Sequence, residues 1–197
     1  MASTDKLVRF GLSNVHYAIY DSDAGTYSTP VAWPGAVSLS LEADGDNSDF
    51  WADNTKYVTF TNNGGYTGSL EMAYDDPEIL ADLLAFEFDA NNALVETTDA
   101  KTVNFALMFE VTGNKRNQRT VLYNSTISCP SKDANTKTEA TDVDTQTFDF
   151  SCTSIDMEFN GETRSVVKAS VEDTSDAYTT FFDEVYMPVS ETEESEA

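Results

Sequence analysis

Residues 57–88 constrain the fold most strongly, because they combine the patterns of two strands, a tight turn and a short helix. Apolar and polar side chains alternate over 66–73, which is the period of a strand with one buried face. The Asn-Asn-Gly-Gly sequence of residues 62–65 can supply the positive-φ positions of a turn, so 57–61 and 66–73 are expected to pair. A lone helix at roughly 76–88 is expected to pack on the resulting sheet.

The expected helix has a start signal and one apolar face. Asp75 or Asp76 can cap its amino end, and Pro77 suits the first helical position. Apolar side chains three and four residues apart lie on one side of a helix, so this side should face the sheet. The core of the helix is predicted to consist of Ile79, Leu80, Leu83 and Leu84.

Short β-patterned runs joined by polar turns make up most of the remaining chain. The pair Asn160-Gly161 is a strong signal for a tight hairpin, and the polar segment TGNKRNQ separates another pair of strands. This pattern favours a mainly β fold, namely a two-sheet β-sandwich or barrel with one flanking α-helix. The further strands are expected at 8–21, 36–42, 103–111, 119–129, 145–159 and 163–171.

The length of 197 residues fits one domain, which is predicted over residues 1–186. Residues 187–197 are predicted to be an acidic tail that is disordered when free. The sequence has no apolar stretch long enough to cross a membrane and no apolar signal core at its start, so synthesis in a cytoplasm is expected. Cys129 and Cys152 should then be reduced, because the expected strand register holds them too far apart to bond.

The charge balance excludes several classes of partner. The chain has 35 acidic against 11 basic residues, a formal net charge of −24. Proteins hold nucleic acids largely by neutralising phosphates with lysine and arginine, so this chain should not bind DNA or RNA, nor an acidic membrane surface. Three interpretations of the excess remain open: solubility, a salt-adapted host, and a surface that repels DNA.

An acidic segment at 43–56 contains the first group of candidate functional residues, and it is expected to be a long loop. Its aspartates alternate as in some calcium loops, but it lacks the glycine and the terminal glutamate of an EF-hand, so a solvated loop is the favoured interpretation. Its aromatic side chains are expected either to fold onto their own domain or to contact a partner. The candidate residues are Asp44, Asp46, Asp49, Phe50, Trp51 and Asp53.

A second candidate group is basic, and catalytic groups are not evident. Lys115, Arg116 and Arg119 form the densest basic cluster, which is either a solvated hairpin tip or a docking site for the acidic surface of a neighbouring copy. His16 is the only histidine, and its strand context offers no adjacent nucleophile. No phosphate-binding glycine motif is present, so neither enzyme activity nor a cofactor is expected.

Four stretches, taken in order, resemble the major tail proteins (tail tube proteins) of long-tailed bacteriophages of Gram-positive hosts. The resemblance covers roughly residues 7–171, and it lies in the order and spacing of the motifs. One departure is Ala85-Phe86, where such proteins often carry a glycine after the helix. The four stretches are VRFGLSNVHYAIY, GGYTGSLEMAYDDPEILADLL, VNFALMFEV and RTVLYNSTISCPS.

The resemblance implies a structural virion protein without catalytic residues. Such a protein would form hexameric rings that stack, through the 43–56 loop, into a hollow tail tube around a tape-measure protein, with tail terminator and distal tail proteins at the two ends. DNA would pass an acidic lumen without specific binding. The rival interpretation is a β-sandwich adhesin or carbohydrate-binding module, whose ligand would contact exposed aromatics such as Trp51 or Tyr66.

Overall fold

A computed structural model of the chain confirms a mainly β fold with a large antiparallel sheet and, within the described residues, a single α-helix, α1 (Pro77–Leu84). This composition is consistent with the predicted β-sandwich and its one helix. The structure describes residues 7–45, 47–52, 54–61, 63–99, 101–132 and 144–190. The strands are β1 (Arg9–Asp21), β2 (Thr26–Tyr27), β3 (Val31–Ala32), β4 (Ala36–Asp44), β5 (Asn47–Ala52), β6 (Thr55–Thr61), β7 (Gly65–Met72), β8 (Glu87–Phe88), β9 (Leu94–Val95), β10 (Phe105–Gly113), β11 (Gln118–Ile127), β12 (Gln146–Thr153), β13 (Ile155–Phe159), β14 (Glu162–Val166) and β15 (Lys168–Glu172).

The chain divides into two compact units, each built from segments that are distant in sequence. The first unit comprises the described parts of Met1–Pro34, Asn104–Asn124 and Ser154–Ala197. The second comprises those of Gly35–Val103 and Ser125–Thr153. Strand β11 contributes residues to both units, because the boundary falls within it.

The first unit is organised around β1, which pairs antiparallel with β10, while β15 pairs antiparallel with β11. Its core contains Met108 and Tyr123 from the central strands, together with Phe181 and Val185 from the carboxyl-terminal segment. The Tyr123 hydroxyl donates a 2.8 Å hydrogen bond to the Tyr186 carbonyl, which attaches that segment to the sheet. The carboxyl-terminal segment is therefore an integral part of this unit as far as Tyr186.

The hairpin predicted at Asn160-Gly161 is confirmed. Both residues have positive φ, 53° and 74°, as a two-residue turn of the favoured hand requires. The turn joins β13 to β14 in register. The long strands expected at 145–159 and 163–171 are each divided, at Ser154 and at Val167, so the chain makes four strands there rather than two.

The second unit contains β7 between two antiparallel neighbours, β4 and β12. The predicted pairing of 57–61 with 66–73 is wrong, because β6 pairs with β5 and both edges of β7 are occupied by strands distant in sequence. Gly68 allows this close packing, since a Cβ there would lie 2.1 Å from the Ser40 carbonyl oxygen and 2.9 Å from the Phe150 ring. One face of β7 and β12 is buried through Leu70, Met72, Phe148, Phe150 and Cys152.

Helix α1 begins as predicted and ends earlier. The Glu78 amide donates a 3.0 Å hydrogen bond to Asp76 Oδ1, so Asp76 is the cap and Pro77 the first helical residue. Of the predicted core residues Ile79 and Leu83 are buried, whereas Leu80 and Leu84 are half-buried. The helix stops at Leu84 rather than near residue 88.

The early end of α1 places Ala85 in the left-handed region, with φ 54° and ψ 38°. Glycine adopts this conformation without the steric cost of a Cβ, which is why it commonly follows a helix. We therefore expect Ala85→Gly to raise the free energy of unfolding by about 1 kcal/mol. Urea denaturation monitored by circular dichroism measures this, with Ala81→Gly inside the helix as a control that should lower it by about the same amount. A destabilised Ala85→Gly protein would contradict the assignment of the helix end.

The acidic segment at 43–56 is a hairpin and not the predicted long loop. Strand β4 runs on to Asp44, and β5 then pairs with β6 around a turn at which Asn54 has a φ of 58°. Within the described residues no helix is long and apolar enough to cross a membrane. Residues 187–190 of the predicted tail are described, and Ser190 Oγ accepts a 2.8 Å hydrogen bond from the Asn160 amide, whereas 191–197 lie outside the described residues.

Candidate assembly surfaces

The β5–β6 hairpin exposes four large apolar side chains, which together we call the hairpin face. They lie on both sides of the hairpin, because Phe50 and Trp51 are successive residues of β5. Phe50 is 57% exposed, Trp51 63% and Tyr57 70%, and Val58 is also exposed directly opposite Phe50. The two strands are held in register by polar contacts as well as by their backbones. The Asp49 carboxylate accepts a 2.8 Å hydrogen bond from Thr59 Oγ1 and forms a 2.8 Å ion pair with Lys56 Nζ.

The hairpin has no third strand beside it among the described strands. Within the described part of the chain, β5 and β6 pair only with each other. An isolated two-stranded hairpin is marginally stable in water, and clustered apolar surface commonly marks an interaction site. Because Phe50 and Trp51 are each more than half exposed, they are not folded onto their own domain, and contact with a partner stays a prediction.

The described part of the same segment contains no assembled metal site. Asp46 and Asp53 lie outside the described residues. Among the described residues no group of three or more histidines, cysteines or acids is placed to hold a metal ion. Asp44 is exposed at the end of β4, and Asp49 is engaged with Lys56 and Thr59.

A second surface of the same unit is the outward face of β4, β7 and β12, which we call the hydroxyl–acid face. Its side chains lie in rows across the three strands because the register aligns them. Every one of them is a hydroxyl or a carboxylate, so this face carries negative charge without a lysine or arginine. The rows are Ser38–Glu71–Thr147, Ser40–Ser69–Asp149 and Glu42–Thr67–Ser151.

The negative charge of the hydroxyl–acid face is stabilised by hydrogen bonds. Glu71 accepts a 2.6 Å bond from Thr145 Oγ1 and a 2.8 Å bond from Ser38 Oγ. These bonds favour the ionised carboxylate and hold the pKa of Glu71 below its usual value. An open groove of about 410 Å³ crosses this face, lined in part by Glu42, Gly68 and Asp149. The face therefore presents hydrogen-bond acceptors in fixed positions, and negative charge, on the surface of the protein.

In the first unit, Arg116 and Lys115 lie on the exposed turn between β10 and β11, as predicted. Arg116 forms a 2.6 Å ion pair with Glu172, and Arg9 from the start of β1 forms a 3.1 Å pair with the same carboxylate. These exposed pairs each contribute little to stability. They do fix the positions of two guanidinium groups on one surface.

Arg119 is not part of this exposed tip, which corrects its predicted grouping with Lys115 and Arg116. Its side chain is 16% exposed, and its Nε donates a 2.9 Å hydrogen bond to Glu110, whose side chain is 10% exposed. Its guanidinium also donates to the Tyr178 carbonyl and lies 3.9 Å from the centroid of the Tyr178 ring. Arg119 thus fastens the carboxyl-terminal segment to the sheet inside its own unit.

His16 and the two cysteines were also considered in the sequence, and the structure shows their surroundings. The His16 ring stacks on Phe182 at 4.4 Å between centroids, and its Nδ1 lies 3.0 Å from the Asn14 carbonyl oxygen. Cys129 is exposed and Cys152 is buried, and both are free thiols. Partial burial raises the pKa of the Cys129 thiol, and the Glu96 carboxylate, 3.6 Å from Sγ, raises it further. Its thiolate is correspondingly disfavoured.

The sequence contained signals for two features that were missed. Glu110 is a lone charge inside the apolar run VNFALMFEV, and such a carboxylate needs a buried partner, which Arg119 supplies. The hydroxyl–acid face follows from the alternation in 36–42 and 66–73 once these strands are known to be neighbours. Comparison with protein-family models gave no match, and comparison with curated proteins gave none either.

Proposed function

We propose that this chain is a structural virion protein that assembles with its own copies into stacked hexameric rings, forming the tail tube of a long-tailed bacteriophage. The observation that carries the proposal is the hairpin face, where Phe50, Trp51 and Tyr57 are each more than half exposed on a hairpin that pairs with no other described strand. Burial of this surface against another copy would remove apolar area from water and add the support that two strands lack.

The hydroxyl–acid face suits the wall of a channel that conducts DNA. Duplex DNA adheres to proteins mainly through lysine and arginine contacts with phosphates, and this face presents neither. Its carboxylates Glu42, Glu71 and Asp149 would repel phosphates at short range, within a Debye length of about 8 Å at physiological salt. DNA would therefore pass along this wall without specific binding.

A tail tube of this kind would need further proteins inside it and at its ends. A tape-measure protein would occupy the lumen during assembly, and tail terminator and distal tail proteins would close the two ends. The protein would be made in the host cytoplasm and end in the virion tail. No part of the proposal requires a cofactor or a catalytic group.

Removal of the apolar hairpin face provides the direct test of self-assembly. We expect the double variant Phe50→Ser/Trp51→Ser to fold normally, because both side chains are exposed, and to form no rings or tubes. Negative-stain electron microscopy and sedimentation velocity measure assembly, and circular dichroism measures folding. The matched control is Val37→Ser, which removes another exposed apolar side chain, on β4. Normal tubes from the double variant would contradict the role of the hairpin, and a wild-type chain that stays monomeric would contradict the proposed function.

The alternative is a carbohydrate-binding module or adhesin, and the same exposed aromatic rings favour it as a second candidate. Flat aromatic side chains such as Trp51 and Tyr57 can contact the apolar faces of sugars. Tyr66, the other aromatic residue considered, is half-buried in β7. This alternative predicts a stable monomer that is retained on a glycan column, with retention lost on Trp51→Ser.

A further inference from the structure

We propose that the outer edge of β4 binds the same edge of a second copy, so that two copies form a dimer about a two-fold axis at Ser40. The two strands would run antiparallel and join the sheets of the two copies. Strand β4 pairs with β7 on one side and with no other described strand. The inference goes beyond the proposed function and does not depend on it, because such a dimer can form whether or not the chain makes tubes.

Strand β4 differs from the other strands of the main sheet that have a single described partner. It is nine residues long, whereas β2 and β3 have two residues each and β15 has five. Natural edge strands are commonly protected by short length, by proline or by lysine. The sequence of β4, AVSLSLEAD, contains neither proline nor lysine. Its backbone is therefore a template on which another strand can pair.

The backbone groups that face this outer edge belong to alternate residues of β4. The Ser40 carbonyl points towards β7, since its oxygen would lie 2.1 Å from a Cβ built on Gly68. The Asp44 carbonyl likewise accepts a 2.6 Å hydrogen bond from the Gly64 amide. Successive residues of an antiparallel strand direct their amides and carbonyls to opposite edges. Leu39 and Leu41 therefore present theirs to the outer edge.

One antiparallel register uses these groups and also matches the side chains. Ser40 would lie opposite Ser40 of the second copy, and Leu39 opposite its Leu41, so that the leucines exchange backbone hydrogen bonds. Leu39 and Leu41 are half-buried on the side of the sheet opposite to the hydroxyl–acid face. The leucines of a second copy beside them would remove further apolar surface from water.

The acids of β4 favour this antiparallel register over an in-register parallel one. Glu42 would lie opposite Ser38 of the second copy, whereas the parallel arrangement would place Glu42 beside Glu42, which is destabilising. The next charged side chain in that row is Glu71, one strand beyond Ser38 and about 10 Å from Glu42 at the usual strand spacing. Because this exceeds the Debye length of about 8 Å at physiological salt, repulsion along the row is weak.

The dimer differs in symmetry from the contacts of a ring. A two-fold contact uses the same surface of both copies and is closed, whereas ring contacts are head-to-tail and repeat from copy to copy. The dimer would cover the outer edge of β4, which otherwise can pair with any suitable strand. It would also continue the hydroxyl–acid face from one copy into the next through the adjoining Ser40 side chains.

Cysteine cross-linking tests the two-fold contact. All proteins carry Cys129→Ser, which removes the exposed native thiol. Ser40→Cys would place two introduced thiols opposite each other in a non-hydrogen-bonded pair, whose Cα atoms are about 4.5 Å apart, within the range of a disulfide. The matched control is Thr147→Cys, an exposed position of the same face on β12, which has strands on both sides. Mass spectrometry identifies the linked peptides after mild oxidation, and circular dichroism verifies folding.

A second pair of variants tests the register. Ser38→Cys and Glu42→Cys proteins are expressed separately and mixed before oxidation. The antiparallel register predicts the 38–42 disulfide in excess over the 38–38 disulfide, because position 38 lies opposite position 42 only in that register.

We expect the 40–40 disulfide to exceed the 147–147 disulfide by at least several-fold. Its yield should rise with salt, because two copies of net charge −24 repel each other less when screened. Equal yields of the 40–40 and 147–147 disulfides, or a 38–38 yield that equals or exceeds the 38–42 yield, would overturn the dimer. Tubes formed by the same proteins would in that case leave the proposed function intact. An excess of the 40–40 disulfide in a folded chain without rings or tubes would support the dimer and contradict the proposed function.

Discussion

Replacing Arg119 with alanine should lower the free energy of unfolding by about 3–5 kcal/mol, the largest effect on stability that we expect from a single substitution here. The change would leave the Glu110 carboxylate in a mostly buried position without its charged partner, although the 3.1 Å hydrogen bond from Asn14 Nδ2 would remain. It would also remove the guanidinium from the rings of Tyr178 and Phe182, which lie 3.9 Å and 4.6 Å away. Urea denaturation at neutral pH measures the loss.

Two further variants separate charge from geometry at Arg119. Arg119→Lys keeps the positive charge but cannot supply the planar fork, so we expect an intermediate loss. Arg116→Ala removes an exposed arginine from the same hairpin and should cost less than about 1 kcal/mol. Equal, small losses for Arg119→Ala and Arg116→Ala would show that the Arg119 cluster does not hold the carboxyl-terminal segment in place.

We expect charge reversal on the hydroxyl–acid face to create a surface that binds duplex DNA. Glu42→Lys/Asp149→Lys changes the formal charge of each copy by +4, and both side chains are exposed on their strands. Assembled variant protein should bind duplex DNA at about 50 mM salt and release it near 200 mM, since a site that contacts about six phosphates loses roughly 10³-fold in affinity over that range. A filter-binding assay on purified assemblies measures this.

The control for this experiment makes the same change in charge elsewhere. Asp23→Lys/Glu158→Lys also replaces two exposed acids with lysines, at a turn and on β13, away from the hydroxyl–acid face. We expect little retention of DNA by this protein. Equal retention by the two variants would mean that net charge alone governs DNA binding, and it would contradict the proposed role of the hydroxyl–acid face in DNA passage.

Local signals in the sequence predicted local structure well. Asn160-Gly161 forms its hairpin because both residues tolerate positive φ, and Asp76-Pro77 starts the helix because a cap and a suitable first residue coincide. Alternation gave β1 and β4 their approximate bounds. Each of these inferences depends on neighbours within a few residues, where steric and hydrogen-bonding preferences act directly.

Pairings between strands that are distant in the sequence could not be predicted from such local signals. The Asn-Asn-Gly-Gly sequence suggested that β6 and β7 form a hairpin. Instead β7 pairs with β4 and β12, and no local pattern in the sequence predicts these two pairings. The β5–β6 hairpin was missed because aspartates and asparagines obscure the alternation along β5. Arg119 was grouped with Lys115 by proximity in sequence, although its place in a strand already separated it from the turn. The interior position of Arg119 depends on Glu110 and Tyr178, which lie on other elements.

The division of the first unit among three distant segments sets an order for folding during synthesis. Strand β1 leaves the ribosome early, but its partner β10 follows only after most of the second unit, and Phe181 and Val185 emerge later still. At about 5–20 residues per second, β1 waits several seconds for its neighbours. The ion pairs of Arg9 and Arg116 likewise need Glu172, which is translated after both arginines. A chain that terminates before Phe181 therefore cannot complete the core of this unit.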